Sequence, residues 1–163
     1  MNFKNNKGYV ITDVSISIII LLILIPVIMG MVYKVNTTKR ATESKAEAIN
    51  ILVNTLEVAK GIGVTDLEEA KKANKQIFEK LDEDIYQEEN NNGKISFEGE
   101  EPESATIESD KGNYLLSVEV IDFASSNNAL FDVQSDIVKT VKANVQYRVN
   151  GEPKELNLST VIK

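Results

Sequence analysis

Val14-Ser15-Ile16-Ser17-Ile18-Ile19-Ile20-Leu21-Leu22-Ile23-Leu24-Ile25-Pro26-Val27-Ile28-Met29-Gly30-Met31-Val32-Tyr33 decides how this chain is built. No charge interrupts the run. At about 1.5 Å rise per residue it makes roughly 30 Å of helix, the thickness of a bilayer hydrocarbon core. Ser15 and Ser17 do not argue against spanning, because a small hydroxyl side chain can return its proton to the helix backbone. A buried core helix is the competing reading, but apolar runs of that kind are usually shorter. The sequence therefore predicts a membrane span over about residues 14–33.

In front of the run stands a short basic leader, Met1-Asn2-Phe3-Lys4-Asn5-Asn6-Lys7-Gly8, and then Tyr9-Val10-Ile11-Thr12-Asp13. A secretory signal peptide is cut after its apolar stretch, at small residues. Nothing of that kind follows Met31, whereas a Lys-Gly step precedes the run. A cut there would leave the apolar helix as the mature N-terminus. Lys4 and Lys7 lie before the span and Lys34, Lys39 and Arg40 after it, so the positive-inside rule is nearly balanced and leaves orientation open.

Pro26 falls within the span. It removes the hydrogen bond to the Leu22 carbonyl and crowds that carbonyl, which predicts a kink or local unwinding. Gly30 adds softness one turn on. Membrane helices tolerate both, so the site is either a harmless kink or a weak point that lets the helix extend in a polymer.

The composition narrows what the remainder can do. A chain of 163 residues, 42% hydrophobic, holds one membrane segment and one modest domain. Cys and His are both absent, which removes disulfides, thiolate metal sites and the commonest general base. No cofactor is implied. The 18 Lys and Arg less Lys4 and Lys7 leave 16 against 25 Asp and Glu, a net of −9 once the leader is gone. With no basic run longer than Lys71-Lys72, nucleic acid is not an expected partner. Ser159 with Lys163, and the acids Asp82, Glu83 and Asp84, are better read as solvated surface than as catalytic sets. Glu88, Asn90, Asn92, Gly93 and Ile95 fall at EF-hand spacing, but Gly99 stands where a bidentate Glu is needed. An acidic turn is the simpler reading.

Past the span the helix is predicted to continue. Ala41, Ala48, Ile49, Leu52, Val53, Leu56 and Ala59 form one apolar stripe, with Lys39, Arg40, Glu43, Lys45, Glu47, Asn50, Asn54 and Glu57 opposite. Gly61 and Gly63 supply stop signals, with Gly61 placed for a left-handed cap. One helix over residues 9–60 follows, roughly 75 Å long, whose second half must lie against a domain of its own chain. Thr65-Asp66-Leu67-Glu68 fits a capping box opening a second helix. That helix runs through Ala70, Ala73 or Asn74, Ile77, Phe78, Leu81 and Ile85, and Asn90–Gly93 forms a turn after it.

Strands are predicted at Lys94–Phe97, Ala105–Glu108, Tyr114–Phe123 and Val138–Val149. A return strand through Leu156, Leu158, Thr160 and Ile162 follows the hairpin signal Asn150-Gly151. Ala124–Leu130 reads as an exposed loop. The expected fold is α+β: a long N-terminal helix packed on an antiparallel sheet, with a second helix in the connecting region. The expected organisation is a leader at 1–8, the helix at 9–60 and a globular domain at 61–163.

Lys7-Gly8-Tyr9-Val10-Ile11-Thr12-Asp13-Val14 resembles the class III signal of type IV pilins and type II secretion pseudopilins. That signal is a basic leader ending in Gly, then an aromatic residue, then a Thr-Leu-Ile-Glu-like stretch. Lys45–Leu52 and the segments Val145–Gly151 and Leu156–Ile162 are similar to minor members of that family, the PilV- and GspI-like ones. The resemblance implies that a prepilin peptidase/N-methyltransferase cuts between Gly8 and Tyr9 and methylates Tyr9. It implies that Asp13, fifth in the mature chain where the family has Glu, pairs with the α-ammonium of a neighbouring subunit during assembly. It further implies a single-pass protein of the cytoplasmic membrane with its domain outside. Other pilin or pseudopilin subunits, an assembly platform and the lipid bilayer would be its partners, and a cell-surface or extracellular filament its destination. Tyr for Phe and Asp for Glu are departures, the second shortening the reach by one methylene. The chain would then be a non-enzymatic structural subunit. The alternative is an uncleaved single-pass anchor carrying a sensor or adaptor domain.

Overall fold

The computed structural model describes residues 7–63, 70–86, 93–122 and 139–162. The chain is α+β. Helix α1 (Lys7–Ile62) is followed by α2 (Ala70–Leu81), which widens into a π-helical stretch at Asp82–Tyr86. Five strands follow: β1 (Lys94–Ser96), β2 (Ser104–Ser109), β3 (Gly112–Asp122), β4 (Lys139–Val149) and β5 (Glu152–Ile162). They form an antiparallel meander in the order β1-β2-β3-β4-β5. Two compact units divide the chain at Lys39 and Arg40, so the second half of α1 belongs to the unit that holds the sheet.

The sheet's register follows from period-two patterning. Ile95 lies opposite Ile107, Ala105 opposite Leu116, Leu116 opposite Val145, and Val145 opposite Leu156, so one apolar face runs across all five strands. Ala48, Ile51, Leu52, Leu56, Val58 and Ala59 of α1 and Ala73, Ile77, Phe78 and Leu81 of α2 close the core against that face. Thr55 is buried within it and is satisfied by donating to the Ile51 carbonyl at 2.7 Å. The β4–β5 hairpin turns on Asn150 (φ 53°) and Gly151 (φ 86°), the paired left-handed residues that a two-residue turn needs.

Three local expectations are corrected. Helix α1 extends through Gly61 and is capped by Gly63 at φ 82°, because Ile62 remains helical to pack on the core. Its buried stripe is rotated by roughly a sixth of a turn from the predicted one. Ile51, Thr55 and Val58 are covered, while Ile49 and Val53 stay exposed. Strand β1 stops at Ser96, and Phe97 leaves the ladder to set its ring 5.8 Å from that of Phe78. On β5 the apolar alternation holds, but only Ile162 is fully buried and Leu158 is exposed, as an edge strand allows. Pro153 is compatible with that edge position. The capping box at Thr65–Glu68, the turn residues Asn90–Asn92 and the loop at Ala124–Leu130 lie outside the described residues.

Gly93 has a packing role that spacing did not reveal. A Cβ there would fall 2.5 Å from the Tyr86 ring, so any larger residue would require that ring to move. Tyr86 is half-buried beside the Glu47 carboxylate and Tyr114. Burial first, then those two groups, push its phenol up to about 12. Tyr114 is raised too, chiefly by burial. In the unfolded chain a tyrosine loses its proton near pH 10, whereas folded Tyr86 keeps it to about 12. Stability is therefore full below pH 10 and falls as pH rises towards 12. Denaturation midpoints across that window should decline less steeply in Tyr86→Phe, with Tyr114 keeping part of the slope.

Candidate functional site

The apolar half of α1 is uncovered among the described residues. From Val14 to Val35 every large hydrophobic side chain in the first unit is exposed, with Met29 at 70% and Tyr33 at 73%. It is the one candidate span among the described residues, long and apolar enough to cross a membrane. Such a surface is stable only in lipid or against other apolar helices. Pro26 lies inside the helical assignment, which is unbroken on both sides of it.

Asp13 sits at the head of this surface, one residue before Val14, and is exposed. The Ser17 hydroxyl donates to the Asp13 backbone carbonyl at 2.9 Å, which confirms that a serine in the span satisfies its own proton. The Asp13 carboxylate has no ion-pair partner among the described residues. Gly8 and Tyr9 lie in the first helical turn of α1, which begins at Lys7.

Sequence reasoning missed a second feature, at the end of the sheet unit where the chain enters. Arg40, Glu43 and Ser44 of α1, Asp110 and Lys111 of the β2–β3 turn, and Arg148 and Asn150 at the β4–β5 hairpin line one open cavity of about 630 Å³. Lys111 is held by Glu47 at 3.1 Å, and the Ser44 hydroxyl donates to the Lys111 carbonyl at 3.5 Å. The hydrogen bond that the Lys111 ammonium donates to Glu47, with the charge of that carboxylate, raises Lys111 above its ordinary range. Arg40 and Arg148 have neither an ion pair nor a hydrogen bond among the described residues. No sequence motif joins positions 40, 111 and 148; only the meander brings them to one end.

Among the described residues no group of three acids could hold a metal ion, and Lys94–Ser96 of the supposed EF-hand loop is a strand. Glu88, Asn90 and Asn92 of that loop lie outside the described residues. Comparison with models of known protein families, with characterised proteins and with solved structures finds no match for this chain.

Proposed function

We propose that the chain is a minor type IV pilin or type II secretion pseudopilin. Prepilin peptidase cuts it between Gly8 and Tyr9 and methylates Tyr9. The subunit waits in the cytoplasmic membrane with its leader inside and its sheet domain outside. An assembly platform then draws it into a filament of like subunits. The observation that carries this reading is the form of α1. An uncovered apolar half, opened by a Lys-Gly step, continues without a break into a half that packs on a sheet of its own chain. A helix of that kind serves both as an anchor in lipid and as a rod against neighbouring rods, and neither role needs an enzyme.

Within this reading Asp13 neutralises the new α-ammonium of the preceding subunit as both enter the apolar filament core. Asp13→Ala should leave removal of the leader intact and lower the amount of the chain recovered in sheared filaments several-fold. Loss of one buried, hydrogen-bonded charge partner typically costs a few kcal/mol. Unchanged recovery would exclude the ion-pair role of Asp13.

A further inference from the structure

We infer that the outer edge of β5 takes up an extended, uncharged strand of another protein, which lengthens the sheet by one antiparallel strand. This contact deepens the filament reading and rests on it, since a minor subunit meets chains other than its own.

Among the described residues the meander leaves two edges, β1 and β5. An unpaired edge is a template for a further strand, and proteins blunt it with short length, charge or proline. The β1 edge is blunted in this way. It is three residues long, opens on Lys94, and leads towards Glu98, Glu100, Glu101 and Glu103. Strand β5 is 11 residues long. Its guards, Pro153 and the charges of Glu152, Lys154 and Glu155, all stand at the hairpin end. From Leu156 to Ile162 it reads Leu-Asn-Leu-Ser-Thr-Val-Ile, with no charge, glycine or proline.

The register decides which backbone groups face outward. In a two-residue hairpin the pair flanking the turn, here Val149 and Glu152, is hydrogen-bonded, and bonded pairs then alternate along the ladder. Leu156, Leu158, Thr160 and Ile162 therefore bond to β4, while Asn157, Ser159 and Val161 direct their N–H and C=O groups away from it. Pro153 has no N–H and falls in the outward set, as this assignment requires. Side chains follow the same alternation. The set bonded to β4 lies on the core face, yet Leu158 is 41% exposed although its neighbour Ala143 is fully buried.

That pattern describes the occupant. An antiparallel strand, the slightly more stable pairing, would bond to Asn157 and Ser159 through residues whose side chains share their solvent-facing side. Its alternate residues would stand beside Leu156 and Leu158 on the core face and so should be apolar. A charged side chain there would lose water and meet no opposite charge between Leu156 and Ile162. The contact spans roughly 24 Å of strand.

The probe is a labelled synthetic peptide in which valine and threonine alternate between terminal lysines. The full chain, extracted in detergent from membranes that hold an active prepilin peptidase, should raise its fluorescence anisotropy. N-methylation of the threonines, whose N–H groups face β5, should weaken binding about tenfold or more. N-methylation of the valines should leave it unchanged, because their N–H groups point away. Ser159→Pro removes an outward donor and should weaken binding about tenfold, whereas Ser159→Ala keeps that donor and should bind as wild type. The two methylated peptides meet the same unaltered protein, so their contrast does not depend on how a variant folds. The inference is overturned by a peptide that does not bind, or by methylated threonines that bind as well as unmodified ones. It is overturned equally if the valine-methylated peptide is the weaker, or if Ser159→Pro binds as wild type. A second copy as the occupant would appear as disulfide-linked homodimers of Ser159→Cys, in a chain that has no cysteine of its own, and would also overturn it. The N-terminal mass of the same sample separates the two failures. A processed chain that ignores the peptide refutes the edge contact alone, whereas an unprocessed chain that binds it refutes the proposed function and keeps the edge contact.

Discussion

If the chain is processed as proposed, Gly8→Val should abolish removal of the leader, so that the chain accumulates in the membrane with Met1 intact and none enters filaments. The reason is steric. A peptidase that holds extended backbone on both sides of the scissile bond leaves no room for a Cβ at the position before it. A branched side chain adds misfit on top of the first clash. Each 1.4 kcal/mol of misfit in the transition state is a factor of ten in rate, so a few kcal/mol reduces cleavage on the order of 100-fold or more. Gly8→Ala, with one methyl, should fall between the two. The substitution lies in the first turn of α1, far in sequence from the core residues of the second unit, so the fold of that unit should be untouched. Immunoblots of membrane and sheared-filament fractions read the result directly. Wild-type cleavage by Gly8→Val would remove the processing role of this residue.

Phe78→Ala should have the largest effect on stability. The Phe78 ring is fully buried between α2 and the sheet and stacks at a tilt on Phe97. Removing it loses the transfer energy of the ring and leaves a cavity, together about 3–5 kcal/mol. Domains of this size are stable by only about 5–15 kcal/mol, so most of the margin goes. The denaturant midpoint should fall sharply with an unchanged slope. Ile49→Ala makes the contrast. The predicted apolar stripe counted Ile49 with the core, but its exposure of 41% limits the loss to a fraction of that of Phe78. Equal losses at the two positions would contradict the placement of the core.

These two residues also mark how far the sequence could be read. Phe78 was recognisable because Ile77, Phe78 and Leu81 keep helical spacing. The hairpin was recognisable because Asn-Gly is a local turn signal. The apolar run at 14–33 was recognisable by length alone. Each is a short-range rule. Ile49 was misplaced because the apolar residues of α1 cover more than one face, and spacing alone does not say which of them are buried. Gly63 was passed over for Gly61 because the helix end is set by the packing of Ile62, a tertiary contact. Gly93 was noticed as a turn residue, but its preference for glycine comes from the ring of Tyr86, seven positions earlier. The candidate sites divide in the same way. Gly8, Tyr9 and Asp13 come from one short stretch of sequence and stand as the proposal's residues. Arg40 and Arg148 are 108 positions apart and come to the lining of one cavity only through the order of the strands.

The proposed filament role depends first on whether the chain is cut before Tyr9. Mass spectrometry of the protein isolated from membranes that hold an active prepilin peptidase reads it in one step. The account predicts a chain that begins with N-methyl-tyrosine at Tyr9, and an intact Met1 in those membranes would contradict it.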